Sequence, residues 1–258
     1  MPQQRSLSTR TMDVLAAFTA DNPHLSLSDI SRRAGLSLTT THRIVADLAG
    51  WGALERGPDG RYDVGLRLFE TAALAQRGPA LREIALPYLE DLYEATHENV
   101  QLAVREGLEV VYIERIAGRD AVPVLTRVGG RFALHATGVG LVLLAFAPRE
   151  IQERVLSEPL TTWTTQTISD PATLRATLAD VRRSDHAVSR GQVTLDALSL
   201  ACPVRGSDDE VVAAVSVVVQ IDTDPRGLLP ALRAASRSIS RALGSPRARR
   251  SDARPPDA

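Results

Sequence analysis

Hydrophobic residues in the first fifty positions recur at helical spacing in three short segments. The spacing predicts helices over residues 9–20, 27–34 and 37–50. Gly35 ends the second helix at a tight turn, where a glycine adopts a positive φ at little cost. Two short extended pieces then flank Gly57-Pro58-Asp59-Gly60, a pattern typical of a β-hairpin. Three helices followed by a hairpin predict a winged helix-turn-helix domain over residues 6–65.

The pattern changes after this domain. Residues 66–78 are predicted to form a linker helix, and Gly78-Pro79 breaks the chain at the expected domain joint. Helices are then predicted over 80–97, 135–157, 170–183 and 228–243, and strands over 100–118 (as a pair), 198–204 and 210–222. Helices and strands mixed around one sheet predict an α/β sensor domain over 79–244, and an α+β fold class for the whole chain. The Pro- and Arg-rich residues 245–258 are expected to be a disordered tail.

Composition narrows the classes of function. The net charge of -1 disfavours a chromosomal protein that binds DNA without sequence preference. Cys202 is the only cysteine, which excludes a disulfide framework and a cysteine-rich metal site. The N-terminus lacks a signal-peptide core, and the longest apolar stretch, 138–147, is too short to cross a bilayer, so a cytoplasmic protein without membrane partners is expected.

The sequence lacks the motifs of a cofactor, metal or catalytic site. Gly138-Val139-Gly140 begins a dinucleotide fingerprint, but Leu143 replaces its third glycine, so no cofactor is expected. The five histidines do not fall at metal-ligand spacing. An enzyme whose N-terminal domain binds a partner protein is the alternative from another class. It would need converging acid, base or nucleophilic groups, and the C-terminal half shows none at recognisable spacing.

The third helix carries the chemistry expected of a DNA recognition helix. Its inward face is apolar, whereas its opposite face presents hydroxyls and an arginine that can hydrogen-bond base edges in the major groove. The DNA-contacting residues predicted on both helices and the wing are Arg32, Arg33, Ser37, Thr39, Thr40, Thr41, His42, Arg43, Arg56 and Arg61. A protein-binding winged helix with a solvated third helix is the alternative. A single DNA-binding winged helix binds a specific DNA site weakly. We therefore expect a homodimer, or a dimer of dimers, on a pseudo-palindromic operator.

Three segments resemble the IclR family of bacterial transcriptional regulators. RFALHATGVGLVLLA (131–145) is similar to the family's Pro-Leu-His-Ala-Thr segment, and SLACPVRGSDDEVVAAVSVVV (199–219) to its paired late strands. TTQTISDPATLRATLADVRR (164–183) is similar to a threonine-rich strand and helix between them. The resemblance covers about residues 6–243 and implies a GAF-like C-terminal domain. It further implies a sequence-specific regulator whose operator affinity is modulated by a small organic acid or aromatic effector.

By the same resemblance, the effector would contact a helix start and three strands. The implied residues are Gly138, Val139, Ser189, Ala197, Ser199 and Ser216. Amides at a helix start and hydroxyls suit a carboxylate. The sequence departs from the family's pattern at Leu141, Gln192, Asp196 and Val218, where the family usually has lysine, glutamate, glycine and a hydroxyl residue. The implied pocket is therefore less polar, and we expect a bulkier or more apolar ligand than pyruvate or glyoxylate.

Overall fold

A computed structural model describes residues 5–119 and 121–250 of the 258-residue chain. The chain divides into two compact units between Gln76 and Arg77. The N-terminal unit is a winged helix-turn-helix, and the C-terminal unit is a layered α/β structure. The predicted fold class is therefore confirmed.

The N-terminal unit begins with three helices, each preceded by a serine cap. They are α1 (Leu7–Ala16), α2 (Leu27–Ala34) and α3 (Leu38–Trp51). The Ser6, Ser26 and Ser37 hydroxyls accept hydrogen bonds from amides in the first turn, which satisfies donors that the helix leaves free. Gly35 closes α2 with φ 62°, as predicted. The first helix ends at Ala16 instead of residue 20, where the chain turns and Thr19 pairs with Asn22.

The helices pack on a short hairpin. Strands β1 (Leu54–Arg56) and β2 (Tyr62–Val64) pair antiparallel around the predicted turn. The core of the unit consists of Val14, Ala17, Leu25, Ile30, Ala34, Ile44, Val45 and Leu54. Helix α4 (Leu66–Ala73) follows the hairpin, but it ends five residues before the predicted end at 78. A π-helical turn over Gln76–Ala80 replaces the last part, since Pro79 has no amide to donate to an α-helical bond.

The C-terminal unit is built on one antiparallel sheet of six strands. In spatial order the strands are β5, β4, β3, β8, β7 and β6. Their bounds are β3 (Asn99–Glu106), β4 (Glu109–Ile116), β5 (Arg131–Ala133), β6 (Ala187–Arg190), β7 (Ala197–Arg205) and β8 (Val211–Gln220). Helices α5 (Leu81–Thr96) and α9 (Leu229–Ala242) pack on one face. Helices α6 (Gly138–Ala145), α7 (Arg149–Ser157) and α8 (Pro171–Ser184) cover part of the other.

Three predictions for this unit are wrong. The helix expected over 135–157 is divided into α6 and α7 by Pro148, and residues 134–136 form a 3-10 turn. The threonine-rich segment that begins at 164 forms turns instead of a strand. The tail expected to be disordered from residue 245 begins with a short helix, α10 (Pro246–Arg250), and Ser245 is buried. Residues 251–258 of that tail lie outside the described residues.

Cys202 lies in the sheet face that packs on α5 and α9. Burial raises the pKa of its thiol to about 12, so the side chain behaves as a small apolar group. No helix within the described ranges is both long and apolar enough to traverse a lipid bilayer.

Candidate functional site

The outer face of α3 presents side chains that can reach into a groove. Thr39, His42 and Arg43 are exposed, and Thr40 is half-buried. The Ser37 hydroxyl donates to Oγ1 of Thr40 over 2.9 Å and accepts from the Thr40 amide over 3.3 Å, so both side chains are fixed at the helix start. Arg43 makes no hydrogen bond or ion pair with the described part of the chain. Its guanidinium is therefore available to an external acceptor.

Thr41 does not belong to this face, and its prediction as a DNA contact is wrong. Its side chain is completely buried in the N-terminal unit, and its Oγ1 donates to the Ser37 carbonyl over 3.0 Å. Thr39 and Thr41 are two residues apart and so point to different sides of a helix that turns once every 3.6 residues. A hydroxyl in the core cannot contact a base edge.

The arginines that flank α3 differ in how firmly they are held. Arg32 donates to the Asp29 carboxylate over 2.7 Å, and Arg61 lies 4.0 Å from the same group. The Ser26 hydroxyl, with smaller contributions from these two arginines, keeps the pKa of Asp29 below its ordinary value. Arg56 lies over the Tyr62 ring, 5.8 Å from its centre. Arg33 is exposed. All four point outward, and Asp29 orients two of them.

Sequence analysis missed a fifth arginine beside the helix-turn-helix. Arg5 precedes α1, pairs with Asp13 over 2.8 Å and donates to the Gly35 carbonyl over 3.3 Å. It therefore ties the start of the chain to the turn between α2 and α3. No periodic pattern marks Arg5, because it lies before the first helix.

A pocket opens on the C-terminal unit where the sheet is not covered by α6. It encloses about 420 Å³, including its open mouth. The lining residues are Gln101, Tyr112, Val124, Leu125, Thr126, Ala136, Thr137, Gly138, Ser189, Gln192, Val193, Thr194, Ala197, Ser199 and Val218. None of these described residues is charged, so any anion must be bound by neutral donors.

Four of the six predicted effector residues line this pocket: Gly138, Ser189, Ala197 and Ser199. Val139 and Ser216 do not, and their prediction as lining residues is wrong. Val139 is a residue of α6 whose side chain is buried in the core. Ser216 is fully buried in β8, and its hydroxyl lies 3.5 Å from Oε1 of Gln101. It can act on the pocket only through that side chain.

A row of paired residues from adjacent strands contributes Ser189, Ser199 and Val218 to the floor of the pocket. Ser189 of β6 pairs with Ser199 of β7, Ser199 pairs with Val218 of β8, and Val218 pairs with Asn99 of β3. Residues directly opposite in antiparallel strands share a face, so all four face the same side. Val218 is the apolar member of this row. The predicted loss of polarity at that position therefore falls inside the pocket.

The start of α6 forms one wall of the pocket. The Thr137 hydroxyl caps the helix by accepting from the Gly140 amide over 3.0 Å. The Thr137 side chain also hydrogen-bonds with the buried Tyr112 hydroxyl, and burial, which outweighs this bond, raises the pKa of Tyr112 far above its ordinary value. The first amides of a helix have no acceptor within it. The amides that begin α6 lie beside the Ser199 hydroxyl, and together these groups can bind a carboxylate.

Sequence analysis also missed Gln101 and Thr126. The Gln101 side chain, only 2 % exposed, donates from Nε2 to Oγ1 of Thr126 over 2.6 Å. Asn99, in the same strand, donates to the Val122 carbonyl over 2.8 Å. These two bonds hold the loop over residues 122–126 above the sheet. The two ends of each bond are more than twenty residues apart in sequence, so no local pattern reveals them.

The remaining departures from the family pattern have structural explanations. Leu141 is buried in α6 and Asp196 is exposed in a loop, so neither lines the pocket. Gln192 does line it, but its Oε1 accepts from the Ile168 amide over 3.2 Å and its carbonyl accepts from the Thr167 hydroxyl over 2.6 Å. Gln192 therefore supports the loop instead of offering a charge to a ligand.

Comparisons with known proteins agree with this architecture. The family model for the IclR helix-turn-helix domain matches residues 9–58. The model for the C-terminal part of bacterial IclR transcriptional regulators matches residues 74–241. Among characterised relatives, HTH-type transcriptional regulator XynR of Escherichia coli K12 is 29% identical over 243 residues, which span 92% of this chain and 96% of the relative.

Solved structures of similar chains extend the comparison. An IclR homologue from Microbacterium hydrocarbonoxydans, complexed with 4-hydroxybenzoate, is 38% identical with a TM-score of 0.89. The match covers 92% of this chain and 99% of that one. IclR of Thermotoga maritima is 26% identical with a TM-score of 0.75, over 92% of this chain and 98% of its own.

Proposed function

The chain belongs to the IclR family of bacterial transcriptional regulators, and on this basis we propose that it binds a specific DNA operator. We further propose that a small aromatic acid sets the affinity of the protein for this operator. The observation that carries the proposal is the exposed face of α3. Thr39, His42 and Arg43 lie there without competing contacts inside the described chain. A recognition helix inserted into the major groove needs such a face.

The arginines around α3 would bind the phosphate backbone. Arg33 is exposed, and Arg32 and Arg61 are oriented by Asp29. Phosphate contacts fix the position of a protein on the duplex, whereas base contacts determine the sequence. The proposal therefore assigns base recognition to α3 and backbone binding to α2 and the hairpin.

Pairing of two chains would give the operator its symmetry. Helix α4 exposes Leu66 and Phe69, and the residue that caps its C-terminus, Leu74, is exposed as well; they retain 63%, 67% and 82% of their accessible surface. Large apolar side chains exposed together on one helix favour burial against a partner. Two linked recognition helices bind neighbouring half-sites far more tightly than one does, so we propose a homodimer on a pseudo-palindromic operator.

The pocket of the C-terminal unit favours an apolar acid as the effector. Its uncharged lining combines Val124, Leu125 and Val218 with the hydroxyls of Ser189 and Ser199. The apolar walls suit a ring, and the hydroxyls with the start of α6 suit a carboxylate. The Microbacterium homologue holds 4-hydroxybenzoate, an acid of this kind. Coupling between operator and effector is reciprocal, so the acid must bind free and DNA-bound protein with different affinities.

Selection of bound duplexes from a random DNA pool tests the proposal. The selection is done on the purified full chain, with and without benzoate and 4-hydroxybenzoate. We expect a two-fold symmetric sequence whose enrichment changes when an acid is present. Arg43→Ala should weaken binding to that operator by about 1–3 kcal/mol, whereas Arg226→Ala, in the C-terminal unit and 91% exposed, should not. A pool that shows no sequence enrichment under any condition would refute the proposal.

A further inference from the structure

The pocket has a second polar end, away from the start of α6. Its members are Gln101 of β3 and Thr126 of the loop that covers the sheet, joined by the 2.6 Å hydrogen bond described above. Both side chains are at least nine-tenths buried, and both line the pocket. Neither belongs to the carboxylate end formed by α6, Ser189 and Ser199.

These two side chains have hydrogen-bonding capacity to spare. A glutamine amide offers two N–H donors and two acceptor sites, and a threonine hydroxyl offers one donor and two acceptor sites. Gln101 uses one N–H on Thr126 and faces the Ser216 hydroxyl with its oxygen at 3.5 Å, which is a weak contact. Thr126 accepts from Gln101, which leaves its own proton free to donate. Buried polar groups with free donors favour a polar partner in the pocket.

The distance between the two ends follows from the sheet register. Ser199 and Gln101 are separated by two strand spacings, from β7 across β8 to β3, and by two residues along the strand. With ordinary sheet dimensions, the Cα atoms of Ser199 and Gln101 are about 12 Å apart. A carboxylate and a para substituent on one benzene ring, each with a hydrogen bond at its outer end, span roughly 12 Å.

We infer that Gln101 and Thr126 form a subsite that selects aromatic acids with a hydrogen-bonding substituent para to the carboxylate. The inference rests on the proposed function, because it requires an aromatic acid with its carboxylate at the start of α6. A para hydroxyl would donate to Oε1 of Gln101 and accept from the Thr126 hydroxyl or the free Gln101 N–H. An unsubstituted ring leaves the spare donors and acceptors of these two side chains unused.

Calorimetric titration of the full chain with benzoate, 3-hydroxybenzoate and 4-hydroxybenzoate tests the subsite. Wild type should bind 4-hydroxybenzoate on the order of tenfold more tightly than the other two acids, as one or two buried hydrogen bonds imply. Gln101→Leu and Thr126→Val should each remove most of this preference, so that the ratio of 4-hydroxybenzoate affinity to benzoate affinity falls toward one in both variants. The matched control Ser189→Ala, at the carboxylate end, should weaken all three acids alike.

The outcomes separate this inference from the proposed function. Equal binding of the three acids by wild type, or a para preference that survives both Gln101→Leu and Thr126→Val, would overturn the subsite and leave the aromatic-acid effector standing. Failure of wild type to bind any of the acids would overturn the proposed effector class and the subsite with it. If Gln101→Leu fails to fold, Thr126→Val decides the question, since it leaves the buried amide of Gln101 in place.

Discussion

A β-carbon placed on Gly138 would lie 2.6 Å from Oγ of Ser199 and 3.1 Å from its Cβ. Glycine at the start of α6 thus lets the helix approach β7 closely enough for its first amides to lie beside that hydroxyl. The position needs a glycine for this approach and not for its backbone conformation, since the φ of Gly138 is not positive. The carboxylate end of the pocket depends on this one contact.

Gly138→Ala should displace the Ser199 hydroxyl, because the new methyl group occupies its place. We expect benzoate affinity to fall on the order of tenfold, with a loss of about 1 kcal/mol in stability from overpacking. Titration calorimetry and urea unfolding measure the two effects. Gly227→Ala is the matched control, since nothing lies within 4 Å of its added methyl group. Unchanged benzoate affinity in Gly138→Ala would contradict this account of the carboxylate end.

Val218→Thr should shift the preference of the pocket toward smaller, more polar acids. Val218 faces the pocket between Ser199 and Asn99, and a threonine of equal shape would add a hydroxyl to the floor. Affinity for pyruvate or glyoxylate should rise relative to benzoate in a thermal-shift comparison. Val217→Thr, on the opposite and fully buried face, should instead lower the free energy of unfolding by about 1–3 kcal/mol. If Val218→Thr and Val217→Thr changed the ligand preference identically, the assignment of Val218 to the pocket face of β8 would be wrong.

Thr39→Val and Thr41→Val should separate recognition from stability. Thr39 is exposed on α3, so its change should alter base preference at the operator and leave the unfolding midpoint in place. Thr41 is buried and bonded to the Ser37 carbonyl, so its change should cost about 1 kcal/mol of stability without altering base preference. Operator-variant binding and chemical denaturation check the pair. A reversed pattern would mean that α3 is rotated relative to the structure described.

Asp209→Asn should reduce the sensitivity of the protein to acid. The Ser245 hydroxyl and the Arg247 amide donate to Asp209 over 2.6 and 3.0 Å, and these bonds, in that order, hold its pKa below the ordinary value of 3.8. The ionised form therefore stabilises the fold above pH 3.8, and this contribution disappears as the pH falls below that value. Asparagine tolerates the positive φ of 64° at this position.

Thermal unfolding between pH 3 and pH 6 gives the measurement for Asp209. Wild type should lose more stability than Asp209→Asn over the acidic part of this range, and the two curves should run parallel above it. Asp222→Asn, at an exposed position in the same unit, should follow wild type throughout. Parallel curves for wild type and Asp209→Asn at every pH would show that α10 is held by other contacts.

The sequence alone determined the features whose causes are local. The bounds of α2 and the turn at Gly35 were predicted to the residue, because turn formation depends on neighbours within one helical turn. The strands β7 and β8 were predicted as well, since long runs of buried apolar residues mark them. The resemblance likewise led to Gly138 and Ser199 without a structure.

Only the tertiary structure decided which side chains are buried and which ones contact each other. Thr41 is buried by packing although its sequence neighbours on α3 are exposed or half-buried, and Ser216 lies against Gln101 because the β3–β8 register sets them side by side. The bond between Gln101 and Thr126 joins segments 25 residues apart. Such contacts depend on how the strands and loops are brought together. The free energy of that assembly comes from burial of apolar surface across the whole unit, so a local sequence pattern does not predict them.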